Sequence, residues 1–178
     1  NVGRTVEELA AQVPDRATGP SPVAFLPYLS GERTPHNDVH ARAAFIGLSK
    51  ITDLNVLCQA VMEGVAFALR DCLQALKSTG TNLPCAFAIG GGSRSAFWVE
   101  TLVNILNIPL HLPAGGEFGA AMGAARLAMV GASGASPASV MTQPEIRRTF
   151  EPNPDLAVAY EAAYQKFSKS YHALKDVE

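Results

Sequence analysis

Gly90-Gly91-Gly92-Ser93 is preceded by the apolar run Cys85-Ala86-Phe87-Ala88-Ile89 and followed at once by Arg94-Ser95-Ala96-Phe97-Trp98-Val99. Read as a buried strand, a turn without Cβ atoms and the opening of a helix, this order leaves backbone N–H groups unspent beside a surface that no side chain blocks. A phosphate or the flat face of a nucleotide suits such a place. A strand-to-helix turn needs glycine for positive φ or tight packing, and three in succession exceed that need. The spacing is neither G-x-G-x-x-G nor a Walker A loop, because no Gly-Lys-Ser/Thr follows, so a dinucleotide fold and a P-loop are disfavoured. Gly115-Gly116 before Glu117 reads either as a second phosphate-proximal turn or as a plain helix entry with Glu117 favoured by the helix dipole.

Other reactive residue types give weaker patterns. His36 and His40 stand four apart, but Pro35 and polar neighbours put them on a loop, with no Cys or third His near, so no metal site is expected. His111 in a strand and His172 near a helix end read as structural. Glu32, Arg33, Asp38 and Arg42 cluster on the same loop, where charges line a cleft or are simply solvated. No serine has a G-x-S-x-G context and no Cys–His constellation is visible. Phosphoryl transfer wants a carboxylate facing a substrate hydroxyl, and none of the six aspartates stands in a context that picks it out.

The elements that must position the glycine turn follow from periodicity. A short helical pattern covers Thr5 to Gln12, with Glu7 and Glu8 in its first turn, and Pro14 to Pro22 is a connector. Val23 to Leu29 and Ala43 to Leu48 read as extended segments flanking the polar loop Ser30 to Arg42. The longest helix is predicted from Asp53, its N-cap, to Ser78, stopped by Gly80. Its apolar stripe is Leu54, Leu57, Val61, Val65, Leu69 and Leu76, and Gly64 marks close packing against another backbone. After the strand before Gly90 come a helix over Arg94 to Leu106, a strand at Pro109 to Leu112 and a helix over Glu117 to Val130. That helix is dense in Ala and Gly, so a neighbour should approach it closely. A short helical turn follows Pro137, and Glu145 to Phe150 is extended. The last helix, Asp155 to Lys175, carries Leu156, Ala159, Tyr160, Ala163, Tyr164, Phe167 and Tyr171 on one face, which serves a core or a homodimer interface equally well. Helices alternating with short apolar strands argue for an α/β class.

Composition bounds the rest. The 178 residues suit one domain, and 48% hydrophobic with 17% charged residues excludes a disordered chain. A net charge of −2 without a basic cluster argues against nucleic acid as a partner, and no uninterrupted apolar stretch reaches membrane-spanning length. Cys58, Cys72 and Cys85 form no C-x-x-C pair and read as reduced thiols of a cytoplasmic protein. The N-terminal residues, with Arg4, Glu7 and Glu8, do not read as a signal peptide, and the first residue, Asn1, suggests a segment of something longer.

Four stretches in order resemble the C-terminal domain of FGGY-family carbohydrate kinases. They are FLPYLSGERTPHND (Phe25 to Asp38), AAFIGLSKITDLNVLCQAVME (Ala43 to Glu63), GGGSRSAFW (Gly90 to Trp98) and GGEFGAAMGAARLA (Gly115 to Ala128). One position departs: Val56 stands where the second signature usually has a polar or acidic residue. The resemblance implies a ribonuclease-H-like α/β domain of the actin, hexokinase and Hsp70 superfamily, a mixed sheet flanked by helices. It implies residues 1–178 as the nucleotide-binding domain, with a sugar-binding N-terminal domain, outside this sequence, as its partner. ATP, with Mg²⁺ held mainly through ATP and that other domain, is the implied cofactor. The glycine turn would lie against the adenosine through Gly90, Gly91 and Gly92, with Ser95 standing where relatives such as glycerol kinase carry Asn. The catalytic Asp, which takes the proton from the sugar hydroxyl, belongs upstream, so this chain alone should be inactive. The YLSGERTPH stretch points to a ketopentose, D-xylulose, as the sugar. Glycerol, gluconate, ribulose or rhamnulose, and a noncatalytic actin-like scaffold, are the alternatives.

Overall fold

The computed structural model describes residues 3, 5, 8, 9, 12–116 and 119–176. Within the predicted first helix, Glu7 lies outside the described residues. Glu8 there donates its N–H to Thr5 Oγ1 (3.1 Å) and accepts the Thr5 N–H (2.7 Å), a reciprocal cap.

Two short strands, β1 (Ala24–Leu26) and β2 (Ala44–Ile46), pair antiparallel with Ala24 opposite Ile46. Pro27, which has no N–H for a ladder, ends β1 earlier than the predicted stretch to Leu29. Helix α1 (Leu54–Ser78) follows, capped by Asp53, whose carboxylate accepts the Val56 N–H at 2.9 Å. Its chain leaves through Thr79 and then Gly80 at φ +87°, as the sequence indicates.

The second sheet runs β3-β4-β5, with β3 (Ala86–Phe87) parallel to β4 (Leu110–Pro113) and β4 antiparallel to β5 (Ile146–Phe150). Between β3 and β4 lie a 3₁₀ turn (Gly91–Arg94) and helix α2 (Ala96–Leu106). Helices α3 (Gly119–Ser133) and α4 (Pro137–Val140) precede β5, and α5 (Pro154–Leu174) closes the chain. The core gathers Leu26 and Tyr28, Ala66 and Phe67 of α1, Val99, Leu102, Val103 and Ile105 of α2, Leu110, Phe150, and Tyr160, Phe167 and Tyr171 of α5. The predicted aromatic face of the last helix thus serves the core.

Two expectations need correction. The face α1 buries is Ala60, Glu63, Gly64, Ala66, Phe67, Asp71 and Leu73, whereas in the predicted stripe Leu54, Val61, Val65, Leu69 and Leu76 stay exposed and Leu57 is half-buried. Small residues decided the contact: a Cβ on Gly64 would sit 2.2 Å from the Phe25 carbonyl oxygen, so α1 lies against the β1 backbone where only glycine fits. Helix α3 has no buried residue, and a Cβ at Gly123 or Gly131 would meet nothing within 4 Å. At Gly119 a Cβ would touch the Ile89 side chain at 3.5 Å, but beyond that first turn the Ala/Gly face lacks the close neighbour expected of it among the described residues. No helix among those residues is long and apolar enough to cross a membrane.

Candidate functional site

The glycine turn begins where β3 ends. Gly90 adopts φ +84°, a conformation L side chains rarely take, and swings the chain out of the strand. The next residues coil into the 3₁₀ turn rather than the α-helix expected from Arg94, because Ser93 bonds back to Gly90 O through both its N–H (3.1 Å) and its hydroxyl (2.7 Å). The α-helix starts two residues later, at Ala96, with Ser95 as N-cap: its Oγ accepts the Trp98 N–H at 3.2 Å. Of the four residues singled out in the sequence, Gly90, Gly91 and Gly92 form the turn, and the Ser95 oxygen sets where α2 begins.

Gly91 and Gly92 are exposed, and their N–H groups come before the first i→i+3 bond of the turn, so neither has an acceptor among the described residues. A Cβ on Gly91 would meet nothing within 4 Å. A Cβ on Gly92 would meet the Trp98 indole at 3.1 Å. One glycine thus keeps the approach from outside open, and the other lets the turn rest on an aromatic ring.

The second glycine turn lies beside the first. The Gly90 N–H donates to Gly116 O at 2.9 Å, which joins the exits of the parallel strands β3 and β4. Gly116 itself has no room for a side chain, since a Cβ would stand 2.8 Å from Pro113 Cγ. Glu117, expected at the helix entry, lies outside the described residues. In open α/β sheets the carboxyl ends of parallel strands are where ligands bind. Exposed main-chain donors, an unobstructed approach and two adjoining glycine turns make a platform for a flat or anionic group.

The charged loop is built in the opposite way. Glu32 and Asp38 exchange main-chain hydrogen bonds of 2.8 and 2.7 Å, and Thr34 N–H donates to Glu32 Oε1 at 2.8 Å. His36 turns inward, stacked on Tyr171 at 3.7 Å, with its Nε2 3.2 Å from Tyr28 Oη and 3.7 Å from Asp71 Oδ2. Tyr164 donates to Asp71 Oδ1 at 2.6 Å, and Tyr171 to Asp38 Oδ2 at 3.0 Å. Burial lowers the His36 pKa against the pull of Asp71, and burial raises that of Asp71 against the Tyr164 hydrogen bond. Both shifts disfavour an ion pair, so neutral rings and hydrogen bonds hold the loop. Sequence reasoning missed Asp71 and read His36 only as an unlikely metal ligand; their partners lie on three separate elements, which no local spacing reveals.

A second buried carboxylate, Glu63, accepts the Ser21 N–H at 2.9 and 3.1 Å and the Gln59 amide at 2.8 Å. Gln59 also donates to Gly19 O at 2.8 Å, and Lys166 to Pro22 O at 2.9 Å, so the connector is stapled between α1 and α5. Burial pushes the Glu63 carboxyl up to about 7.

Comparison with known proteins places this geometry among sugar kinases. Residues 2–132 match the model of the FGGY family of carbohydrate kinases, C-terminal domain. Xylulose kinase of Escherichia coli K12 is 38% identical over 166 residues, 93% of this chain and 34% of that protein. A crystal structure described as a xyloylose kinase from Brucella ovis superposes with a TM-score of 0.89 at 47% identity, covering 99% of this chain and 37% of that one. Gluconate kinase from Lactobacillus acidophilus gives 0.77 at 26% identity, over 99% and 36%. The chain thus spans about a third of the length of the relatives it matches.

Proposed function

This chain belongs to the FGGY family of carbohydrate kinases, as its C-terminal domain, and we propose that it is the nucleotide-binding domain of a kinase transferring the γ-phosphoryl of ATP to D-xylulose. Its mixed α/β architecture is the actin- and hexokinase-like fold of the sugar-kinase structures it matches. The observation that carries the nucleotide reading is the joined pair of glycine turns, where Gly90 N–H meets Gly116 O and Gly91 leaves the surface open. The adenosine lies on the main chain at Gly90, Gly91 and Gly92, and Ser95 fixes the start of the helix behind them. The N-terminal domain of the parent protein brings the sugar and the proton-accepting Asp, and Mg²⁺ enters with the ATP phosphates. Much of the rate then comes from holding sugar and phosphoryl donor in line as the domains close.

Xylulose is the favoured sugar because the kinases from E. coli and Brucella ovis carry that name at 38% and 47% identity. Gluconate, named for the Lactobacillus acidophilus relative at 26%, is the second reading. A panel of sugars assayed with the full-length parent separates them: xylulose should give the highest kcat/KM, and a preference for gluconate reverses the assignment. For the nucleotide, Gly91→Leu in the parent adds a side chain in open space. We expect the KM for ATP to rise about tenfold or more, equivalent to about 1.4 kcal/mol of lost binding, with the Tm unmoved. An unchanged KM for ATP removes the platform.

A further inference from the structure

Trp98 is the only tryptophan of the chain. Ser95, the N-cap of α2, accepts the Trp98 N–H on its Oγ at 3.2 Å and so fixes the residue in the first turn of the helix. The half-buried indole packs against the hydrophobic core. It also fills the space a side chain on Gly92 would need, since a Cβ there would stand 3.1 Å from both Trp98 Cδ1 and Nε1. Consecutive glycines have the most conformational freedom to lose. Hydrogen bonds hold this turn at the Gly90 and Gly92 carbonyls, to Ser93 and to the Ser95 N–H at 3.0 Å, while a Cβ on Gly91 would touch nothing within 4 Å. Beyond those bonds, the flat ring beneath Gly92 is what steadies the turn.

We propose that Trp98 is a positioning residue of the nucleotide platform: its indole is the floor on which Gly92 rests, and by fixing the turn it sets the main-chain surface that the adenosine of ATP meets. This rests on the nucleotide reading of the glycine turns. A floor already in place spares the ligand the ordering of three glycines, so binding energy is not spent on it. Ring and glycine are matched in size, because the indole occupies the place that any larger residue at position 92 would claim. The adenosine is remote from the phosphoryl being transferred. Loosening the turn therefore removes binding common to the ground and transition states, which raises KM and spares kcat.

Kinetics of the full-length parent test it. Trp98→Ala should raise the KM for ATP severalfold with kcat close to its starting value, and Trp98→Phe, which keeps a flat ring, should recover most of the affinity. Gly92→Ala sets a methyl against the indole and should raise the same KM. Joined to Trp98→Ala, its effect should fall about fivefold short of the product of the two single changes. A lower Tm with an unchanged KM, or effects that simply multiply, makes Trp98 ordinary packing and overturns the proposal. Should Trp98→Ala fail to fold, the native ring still carries the test. In the parent grown with fluorotryptophan, the Trp98 fluorine resonance, assigned by its absence from Trp98→Phe, should move as ADP is added without sugar. A resonance that stays fixed while calorimetry records ADP binding overturns the proposal as well. Gly91→Leu separates the two readings: an unchanged KM for ATP removes the platform and this inference with it, whereas a raised KM beside an inert Trp98→Ala removes the role of Trp98 alone.

Discussion

Glu63 and Asp71, about two turns apart on the buried side of α1, hold irregular chain through side chains, whereas the glycine turns after β3 and β4 hold each other through main chain alone. Glu63 grips the 19–22 connector, and Asp71 with His36 grips the 28–42 loop, each by a group taken out of water. At the glycine turns one backbone hydrogen bond of 2.9 Å does the joining, and the surface above stays bare. A side-chain lock fixes a segment at the cost of desolvating a titratable group, and so responds to pH. A main-chain clamp carries no titratable group and leaves room for a ligand. The titratable locks at Glu63 and Asp71 and the uncharged clamp at the glycine turns are thus separate devices in one chain.

The difference is sharpest in the pH dependence of stability. Glu63, near 7 when folded against an ordinary 4.5, binds its proton more tightly in the folded state. Its contribution is fully present below about pH 4.5 and is lost as pH rises through about 7, a loss on the order of 3 kcal/mol. Glu63→Gln should flatten that slope between pH 4.5 and 7 in denaturant titrations of the parent; an unaltered slope would place the proton elsewhere. A smaller effect is expected at the second lock. Asp71→Ala strands the half-buried Tyr164 hydroxyl and should destabilise by about 2 kcal/mol, read as a fall in Tm with the KM for ATP retained. The smallest belongs to the glycine side. Ser95→Ala removes the α2 cap, about 1 kcal/mol, and a shift of that size without change in ATP affinity would confirm that the hydroxyl serves the helix. A large change in ATP affinity would instead give Ser95 a place on the nucleotide and blur the contrast.

Much of the architecture was legible because it depends on local chemistry. Asp53 as N-cap and Gly80 after the helix end are set by neighbours within a turn or two, while Gly64 and the aromatic face of α5 were legible from residue type and spacing although the groups they meet, Phe25, Tyr28 and Phe67, lie far along the chain. The side of α1 that is buried was not legible, because Leu54, Val61, Val65, Leu69 and Leu76 make the stronger apolar pattern, and the choice fell to contacts with β1 and α2 far along the chain. The 3₁₀ turn at Gly91–Arg94 was hidden for a similar reason: Ser93 folding back on Gly90 and Ser95 capping the next helix are both compatible with a simple helix start. Within the candidate site the three glycines were visible as types, and the bond that joins them to Gly116 was not, since it spans 26 residues.

That bond has a mechanical meaning. With Gly90 N–H fastened to Gly116 O, and Gly116 wedged against Pro113, a push on one turn is delivered to the other and from there into the ends of both parallel strands. Two turns distant in sequence are thereby tied at one point, and whatever bears on Gly90 bears on Gly116 as well.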